Sequence, residues 1–160
     1  MLRLLGIAMM IVLALGAAPA RAQTATTASG VVAALGAAGL PIGESIDFTA
    51  ETDPNKLLGR PNGYLSKTAF LDTRLERLTT DRIVADDGGS VEVFATADQA
   101  VARKTYIDNI GAAAPVFSEY SYLAGSVLLR ISKRLPPEQA AQYAGILAVL
   151  SPSADAAPAA

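Results

Sequence analysis

The chain has 160 residues with no cysteine and no histidine, and its 13 basic and 15 acidic residues give a net charge of −2. Without these two residue types, disulfides, thiol catalysis, imidazole bases and the common zinc sites are excluded. A mildly acidic chain without basic runs is also a poor candidate for binding nucleic acid.

The first 22 residues have the parts of a secretory signal peptide. Arg3 precedes an apolar run over residues 4–18, and Ala20-Arg21-Ala22 matches the A-x-A cleavage pattern. The alternative is a membrane anchor, but the run is shorter than the roughly 20 residues that span a bilayer. We therefore expect cleavage before Gln23 and a secreted or periplasmic protein without a membrane anchor.

The mature chain is predicted to form one α+β domain over residues 23–150, followed by a disordered Pro/Ala-rich tail over 151–160. Its first helix is expected to start at an N-cap on Ser29 and to end at Gly39. Residues 45–50 then alternate polar and apolar side chains, which predicts a short strand.

The next segment, DPNKLLGRPNGYLSK over residues 53–67, carries two successive Pro/Asn turn signals. Two leucines between the turns can hold the segment against the core, so we predict an ordered loop. Because Arg and Tyr are frequent binding anchors, we predict that the loop presents a ligand-binding or partner-binding surface. That surface consists of Asp53, Asn55, Arg60, Asn62, Tyr64, Ser66 and Lys67.

The spacing of the turns suggests how this surface is built. We expect Arg60 to pair with Asp53 and to hold Tyr64 outward for binding. The alternative is a loop whose charges pair only with one another and that has no binding role.

Catalysis is a second interpretation of the same stretch. Ser66 beside Lys67 resembles a nucleophile pair, but neighbouring residues on a strand point to opposite faces. Glu51 and Asp53 could act as paired carboxylates, although acids in exposed turns are common. We assign no catalytic residue, cofactor or metal, and keep a hydrolase or transferase using Glu51, Asp53, Ser66 and Lys67 as the alternative.

The remaining elements complete the α+β pattern. Residues 67–78 and 90–95 are predicted to form an antiparallel hairpin, with Ala69 and Leu71 on the core face and a turn at 86–89. Thr96 begins a helix through a capping box. Residues 119–132 are predicted to be one extended segment, and a last helix follows from Pro137.

These elements predict an antiparallel or mixed sheet of about four strands with the helices packed on one face. Val93 on the third strand and Leu129 on the fourth should lie on its core face.

Three stretches together resemble a group of small secreted bacterial proteins, many of them lipoproteins and often actinobacterial. The stretches are ETDPNKLLGRPNGYLSK, GGSVEVFATADQAVARKTYI and EYSYLAGSVLLRISKRLPPEQAAQY. The group's pattern is D-P-N-x-L-L-G-R-P-x-x-Y-x-S-K, and the likeness extends from about Val31 to Leu147. The present chain lacks the lipid-bearing cysteine and has Pro136 where the group has a capping Thr. The resemblance implies a shared loop surface and supplies no catalytic residues.

The sequence therefore predicts a secreted, non-enzymatic binding module that uses the surface of residues 51–67. Its partner would be a protein or a small-molecule ligand outside the cytoplasm. The alternatives are the unfamiliar enzyme described above and a structural protein of the cell envelope.

Overall fold

A five-stranded antiparallel sheet is the centre of the fold, in the order β1-β2-β3-β5-β4. The structure is a computed structural model and describes residues 26–78 and 82–150. The predicted signal peptide and C-terminal tail lie outside these residues. The elements are β1 (Ile42–Asp47), β2 (Ser66–Asp72), β3 (Gly88–Val93), β4 (Glu119–Ala124), β5 (Val127–Ser132), α1 (Ala28–Ala37), α2 (Ala97–Ala113) and α3 (Pro137–Leu150).

The α+β class is confirmed, with five strands instead of about four. The additional strand arises because residues 119–132 divide into the β4–β5 hairpin. Ala124 pairs with Val127 across a two-residue turn, and Gly125 has a φ of 56° there. Glycine takes this left-handed conformation without strain, as tight hairpin turns require.

Helix starts follow the capping logic of the sequence, with one shift. The side chain of Thr96 accepts a hydrogen bond from the Gln99 amide at 3.3 Å and caps α2. The reciprocal half of the predicted capping box does not form, because Gln99 Oε1 has no hydrogen-bond partner among the described residues. At α1 the cap is Thr27 and not Ser29, because the Thr27 hydroxyl accepts from the Gly30 amide at 3.1 Å.

The two faces of the sheet differ in composition. Alternate side chains of a strand point to opposite faces, and Val91, Val93 and Leu129 point toward α1 and α3 in the main core. Val93 and Leu129 are buried, which confirms their predicted core position.

Helix α2 packs on the opposite face, so the prediction that the helices share one face is wrong. Ala100 and Ile107 of α2 contact Leu128 of β5 together with Tyr64 and Phe94 in a second, smaller apolar cluster. The helix connects β3 to β4, which run parallel on either side of β5, and it crosses the sheet on that face.

The two faces of strand β2 are exchanged relative to the prediction. Phe70 lies in the main core with its ring centroid 5.8 Å from that of Tyr143, whereas Ala69 points to the other face. The sequence pattern misleads because Asp72 shares the face of Phe70. Its carboxylate is buried but paired, accepting from Arg74 Nη2 at 2.6 Å and from the Tyr143 hydroxyl at 2.8 Å.

The predicted turn at residues 86–89 is also displaced. A 3-10 turn at Ala85–Asp87 precedes β3, which already begins at Gly88. A Cβ atom at Gly88 would collide with the backbone of Phe70 and Asp72 on β2. This glycine therefore permits the close approach of two strands.

Truncation of Leu129 to alanine should lower the free energy of unfolding by about 2–4 kcal/mol, because a cavity adds to the lost transfer energy. Leu65 is the matched control, since 62% of its surface is exposed. Leu65→Ala should change stability by less than about 0.5 kcal/mol. Urea denaturation of both variants measures the difference, and equal losses would contradict the assigned core.

Candidate functional site

The face of the sheet that carries α2 is polar at its centre. Strand register places Lys67 of β2 beside Glu92 of β3. One row away, Ala69, Ser90, Arg130 and Ser121 follow one another across β2, β3, β5 and β4. On the opposite face the central strands carry mainly apolar side chains, among them Phe70, Val91 and Leu129. A connected group of paired charges at the centre of the sheet is therefore a feature of one side.

Asp53 organises the loop that covers this face. Its carboxylate accepts from the backbone amides of Leu57 at 2.8 Å and Leu58 at 3.2 Å, and from the Tyr64 hydroxyl at 2.6 Å. Lys67 Nζ lies 3.2 Å from the same carboxylate. Only 1% of Asp53 is exposed, so these donors take the place of water and fix the path of the loop.

Ionisation of Asp53 is favoured in spite of its burial. Burial alone would raise the pKa, but the hydrogen bonds from Tyr64 and the Leu57 amide and the charge of Lys67 outweigh it and lower the pKa to about 2. For Tyr64 the net shift of the pKa is upward. Burial and the bond to the Asp53 carboxylate both raise the pKa of the phenol, which stays protonated and donates.

Glu92, also a buried carboxylate, lies among three cations. Its oxygens are 2.9 Å from Arg130 Nη1, 3.1 Å from Arg103 Nε and 4.0 Å from Lys67 Nζ. Arg130 also binds Glu119 through Nε and Nη2, each at 2.6 Å. Three carboxylates and three cations thus form one connected group, called here the buried charge cluster: Asp53, Lys67, Glu92, Arg103, Glu119 and Arg130.

Asn55 bridges Lys67 and Arg103, two cations of the buried charge cluster. The surrounding donors orient its amide so that Oδ1 accepts from Lys67 Nζ at 2.9 Å and from Arg103 Nη2 at 3.1 Å. Burial lowers the pKa of Lys67, whereas the charges of Glu92 and Asp53 raise it, and the net direction is downward. All three donor positions of the ammonium group are taken by Asp53, Asn55 and the Tyr64 oxygen.

Two neighbouring cavities open above the buried charge cluster. The Ser90 cavity has a volume of about 410 Å³ and is bounded by Ile46, Phe48, Lys67, Ala69 and Ser90. The Arg103 cavity measures about 580 Å³ and is bounded by Arg103, Tyr106, Ile107, Phe117 and Glu119. Asn55 and Arg130 line both cavities. Each volume falls in the range of small-molecule sites.

Ser90 is the cavity-lining side chain that protein contacts leave unsatisfied. Its side chain is 1% exposed, and Oγ has no hydrogen-bond partner among the described residues. Buried hydroxyls are normally paired, so this oxygen marks the floor of the Ser90 cavity as a place where a polar atom from outside can bind.

Two predictions about the loop are wrong. Tyr64 does not point outward: it is fully buried, and its ring lies 5.9 Å from that of Phe94. Asp53 pairs with Lys67 and not with Arg60. Arg60 and Asn62 are exposed at the tip of the loop, and Asn62 has a φ of 62° that serves the turn. The interior suits Tyr64 because its ring packs there and its hydroxyl donates to the Asp53 carboxylate.

The proposed catalytic group is not assembled. Ser66 Oγ accepts from the Ala28 amide at 2.9 Å at the start of α1, on the face opposite to Lys67. Glu51 is exposed, whereas Asp53 is buried. Of the predicted surface, the structure brings together Asp53, Asn55, Tyr64 and Lys67, and it leaves Ser66, Arg60 and Asn62 elsewhere.

Sequence reasoning missed half of the site. Glu92, Arg103, Glu119, Arg130 and Ser90 were not predicted to take part. The available signal was a charge in the middle of an apolar strand, as in V-E-V around Glu92 and L-R-I around Arg130. Such charges must be paired when buried, but the partners depend on which strands are neighbours.

The pKa of Asp53 predicts a pH dependence of stability. Because the pKa is lower in the folded than in the unfolded state, its contribution is complete above about pH 4 and is lost as pH falls toward 2. A shift from 3.8 to about 2 corresponds to about 2 kcal/mol. Comparison of wild type with Asp53→Asn in urea between pH 5 and 2 isolates this group. The wild-type curve should fall more steeply, and parallel curves would contradict the assignment.

Comparison with known proteins leaves this site without a template. No protein-family model, curated protein or solved structure matches the chain. Within residues 26–78 and 82–150, no helix is both long enough and apolar enough to cross a membrane.

Proposed function

We propose that this protein is a secreted, non-enzymatic binding module that holds a small molecule between the polar face of its sheet and the loop of residues 48–64. The observation that carries the proposal is the Ser90 cavity, whose floor combines an unpaired buried hydroxyl with the buried charge cluster. Export is expected from the signal peptide, and the resemblance to a group of secreted bacterial proteins agrees with it.

The buried charge cluster supports a functional interpretation because apolar residues in its place could stabilise the core equally well. Well-packed apolar residues usually stabilise a core as well as buried ion pairs do, since desolvation offsets much of the attraction between the charges. The opposite face of the same sheet is mainly apolar at its centre, with the buried Asp72 at the end of β2. A second apolar face under α2 would have left no cavity with oriented polar groups.

The loop contributes the pre-organisation that a binding site needs. Asp53 fixes the backbone at Leu57 and Leu58, and Tyr64 ties the far end of the loop to the same carboxylate. Asn55 is thereby held over the cluster, where it lines both cavities. A rigid wall reduces the entropy lost on binding, so the loop functions as one side of the site and not as a mobile cover.

The contacts favour binding over catalysis. Ser66 lies on the other face of the sheet, and the ammonium of Lys67 is engaged by three acceptors. Neither group is therefore available as a nucleophile with an adjacent base.

The experiment is recovery of the bound molecule. Protein isolated under native conditions from its own organism is denatured, and the released small molecules are identified by mass spectrometry. Wild type should carry a small molecule that Ala69→Leu loses, because the added atoms enter the Ser90 cavity. Ala141→Leu, an exposed position on α3, is the control for the same substitution.

Denaturation midpoints show whether each variant is folded, and Ser90→Val serves as a second filling variant. Equal recovery of small molecules from wild type and from both filled variants would contradict the proposal.

A further inference from the structure

We propose that the ligand of the Ser90 cavity is a neutral molecule with an apolar body and a hydrogen-bond acceptor such as a carbonyl oxygen. This inference rests on the proposed binding function and specifies its ligand class. The carbonyl oxygen would bind at Ser90 and Arg130, which are paired neighbours on β3 and β5 and both line the cavity.

The groups left unpaired at the floor are donors. Arg130 uses Nε, one N–H of Nη1 and one N–H of Nη2 for Glu92 and Glu119. A guanidinium has five N–H donors, so one on each terminal nitrogen stays free of these contacts. The Ser90 hydroxyl, which has no partner among the described residues, also can donate. An acceptor oxygen satisfies both side chains.

The walls above this floor are mainly apolar. Ile46 and Phe48 approach from the β1 side, Ile83 and Val84 from the segment before β3, and Ala69 lies next to Ser90. Ala69 and Ser90 are small, and their size leaves the space above the strands open. A compact hydrocarbon body fits between these side chains and is removed from water there.

The charge balance of the floor favours a neutral ligand. Lys67 is paired with Asp53, and Arg130 is paired with Glu92 and Glu119. A carboxylate or an ammonium group placed here would add a buried charge without a counter-charge of its own, which is costly. Arg82 also lines the cavity, but it is exposed to solvent, where water and salt screen its charge, and it already interacts with another group of the protein.

Three probes with the same ring and different charges test this inference. Cyclohexanecarboxamide, cyclohexanecarboxylate and cyclohexylmethylammonium are titrated into the purified protein, and amide chemical shifts are followed by NMR. The carboxamide and the carboxylate have nearly the same shape, so their comparison isolates charge. The carboxamide should bind about tenfold more tightly than either ion, with shifts centred on Ser90.

Ser90→Ala removes the hydroxyl and keeps the space. It should weaken binding of the carboxamide about fivefold, the effect of losing one hydrogen bond. Ser121→Ala is the matched control, because Ser121 Oγ is likewise unpaired in the same row but does not line the cavity. That variant should bind the carboxamide like wild type. Thermal unfolding of both variants shows that they are folded.

Tighter binding of the carboxylate or the ammonium probe would overturn the inference, as would binding of none of the three probes. An unchanged affinity in Ser90→Ala would overturn the role of the hydroxyl. These outcomes are separable from the proposed function itself. If a charged molecule is recovered from the native protein, the binding function stands and the neutral ligand class is wrong.

Discussion

Replacement of Asp53 by alanine is expected to lower the free energy of unfolding by about 3–5 kcal/mol, the usual cost of removing one partner of a buried ion pair. The substitution leaves Lys67 Nζ with Glu92 at 4.0 Å as its remaining carboxylate. It also removes the acceptor of the Leu57 and Leu58 amides and of the Tyr64 hydroxyl. Chemical denaturation measures the loss.

Arg60→Ala is the control within the same loop. The arginine is exposed, and we expect a change within about 0.5 kcal/mol. A double-mutant cycle of Asp53→Ala with Lys67→Met should give a coupling energy of about 1–3 kcal/mol. A cost below 1 kcal/mol for Asp53→Ala, or equal costs for Asp53→Ala and Arg60→Ala, would mean that the loop is not held by this carboxylate.

Removal of the Glu92 side chain should have an effect of similar size. Glu92→Ala leaves Arg103 without its buried carboxylate and deprives Arg130 of one of two. The expected loss is about 3–5 kcal/mol, with Glu92→Gln intermediate because the amide still accepts hydrogen bonds. Urea denaturation at neutral pH is the measurement.

The matched control for Glu92 is Asp108 on α2, which pairs with Lys104 at an exposed i, i+4 position. Asp108→Ala should cost no more than about 1 kcal/mol. A cost of Glu92→Ala below about 1 kcal/mol would mean that water solvates Arg103 and Arg130 and that their pairing with Glu92 is not buried.

The parts of the fold that the sequence predicted are those decided by local patterns. The alternation around Val93 and Leu129 identified the core face of β3 and β5, and Thr96 located the start of α2. The turn signals of residues 53–67 also indicated an ordered loop, and Asp53 and Lys67 were among the residues assigned to its surface.

The parts that the sequence did not predict depend on contacts between distant segments. Glu92 meets Arg130 only because β3 pairs with β5 and not with β4, a choice that side-chain alternation does not reveal. Phe70 and Asp72 lie on one face of β2, and that face can turn to the core because Tyr143 and Arg74 donate hydrogen bonds to the buried aspartate. Tyr64 was predicted to point outward because tyrosine is a frequent binding anchor. The buried Asp53 carboxylate instead gives its hydroxyl a partner in the interior.

We propose that a small molecule binds over the polar face of the sheet, and NMR mapping tests this proposal most directly. Low-molecular-weight extract from the organism's own envelope is titrated into isotope-labelled protein, and backbone amide shifts are followed by residue. We predict shifts at Asn55, Lys67, Ser90 and Arg130, with α1 and α3 unchanged. Shifts confined to Arg60 and Asn62 at the loop tip, or no shifts at any concentration of extract, would contradict binding at the polar face.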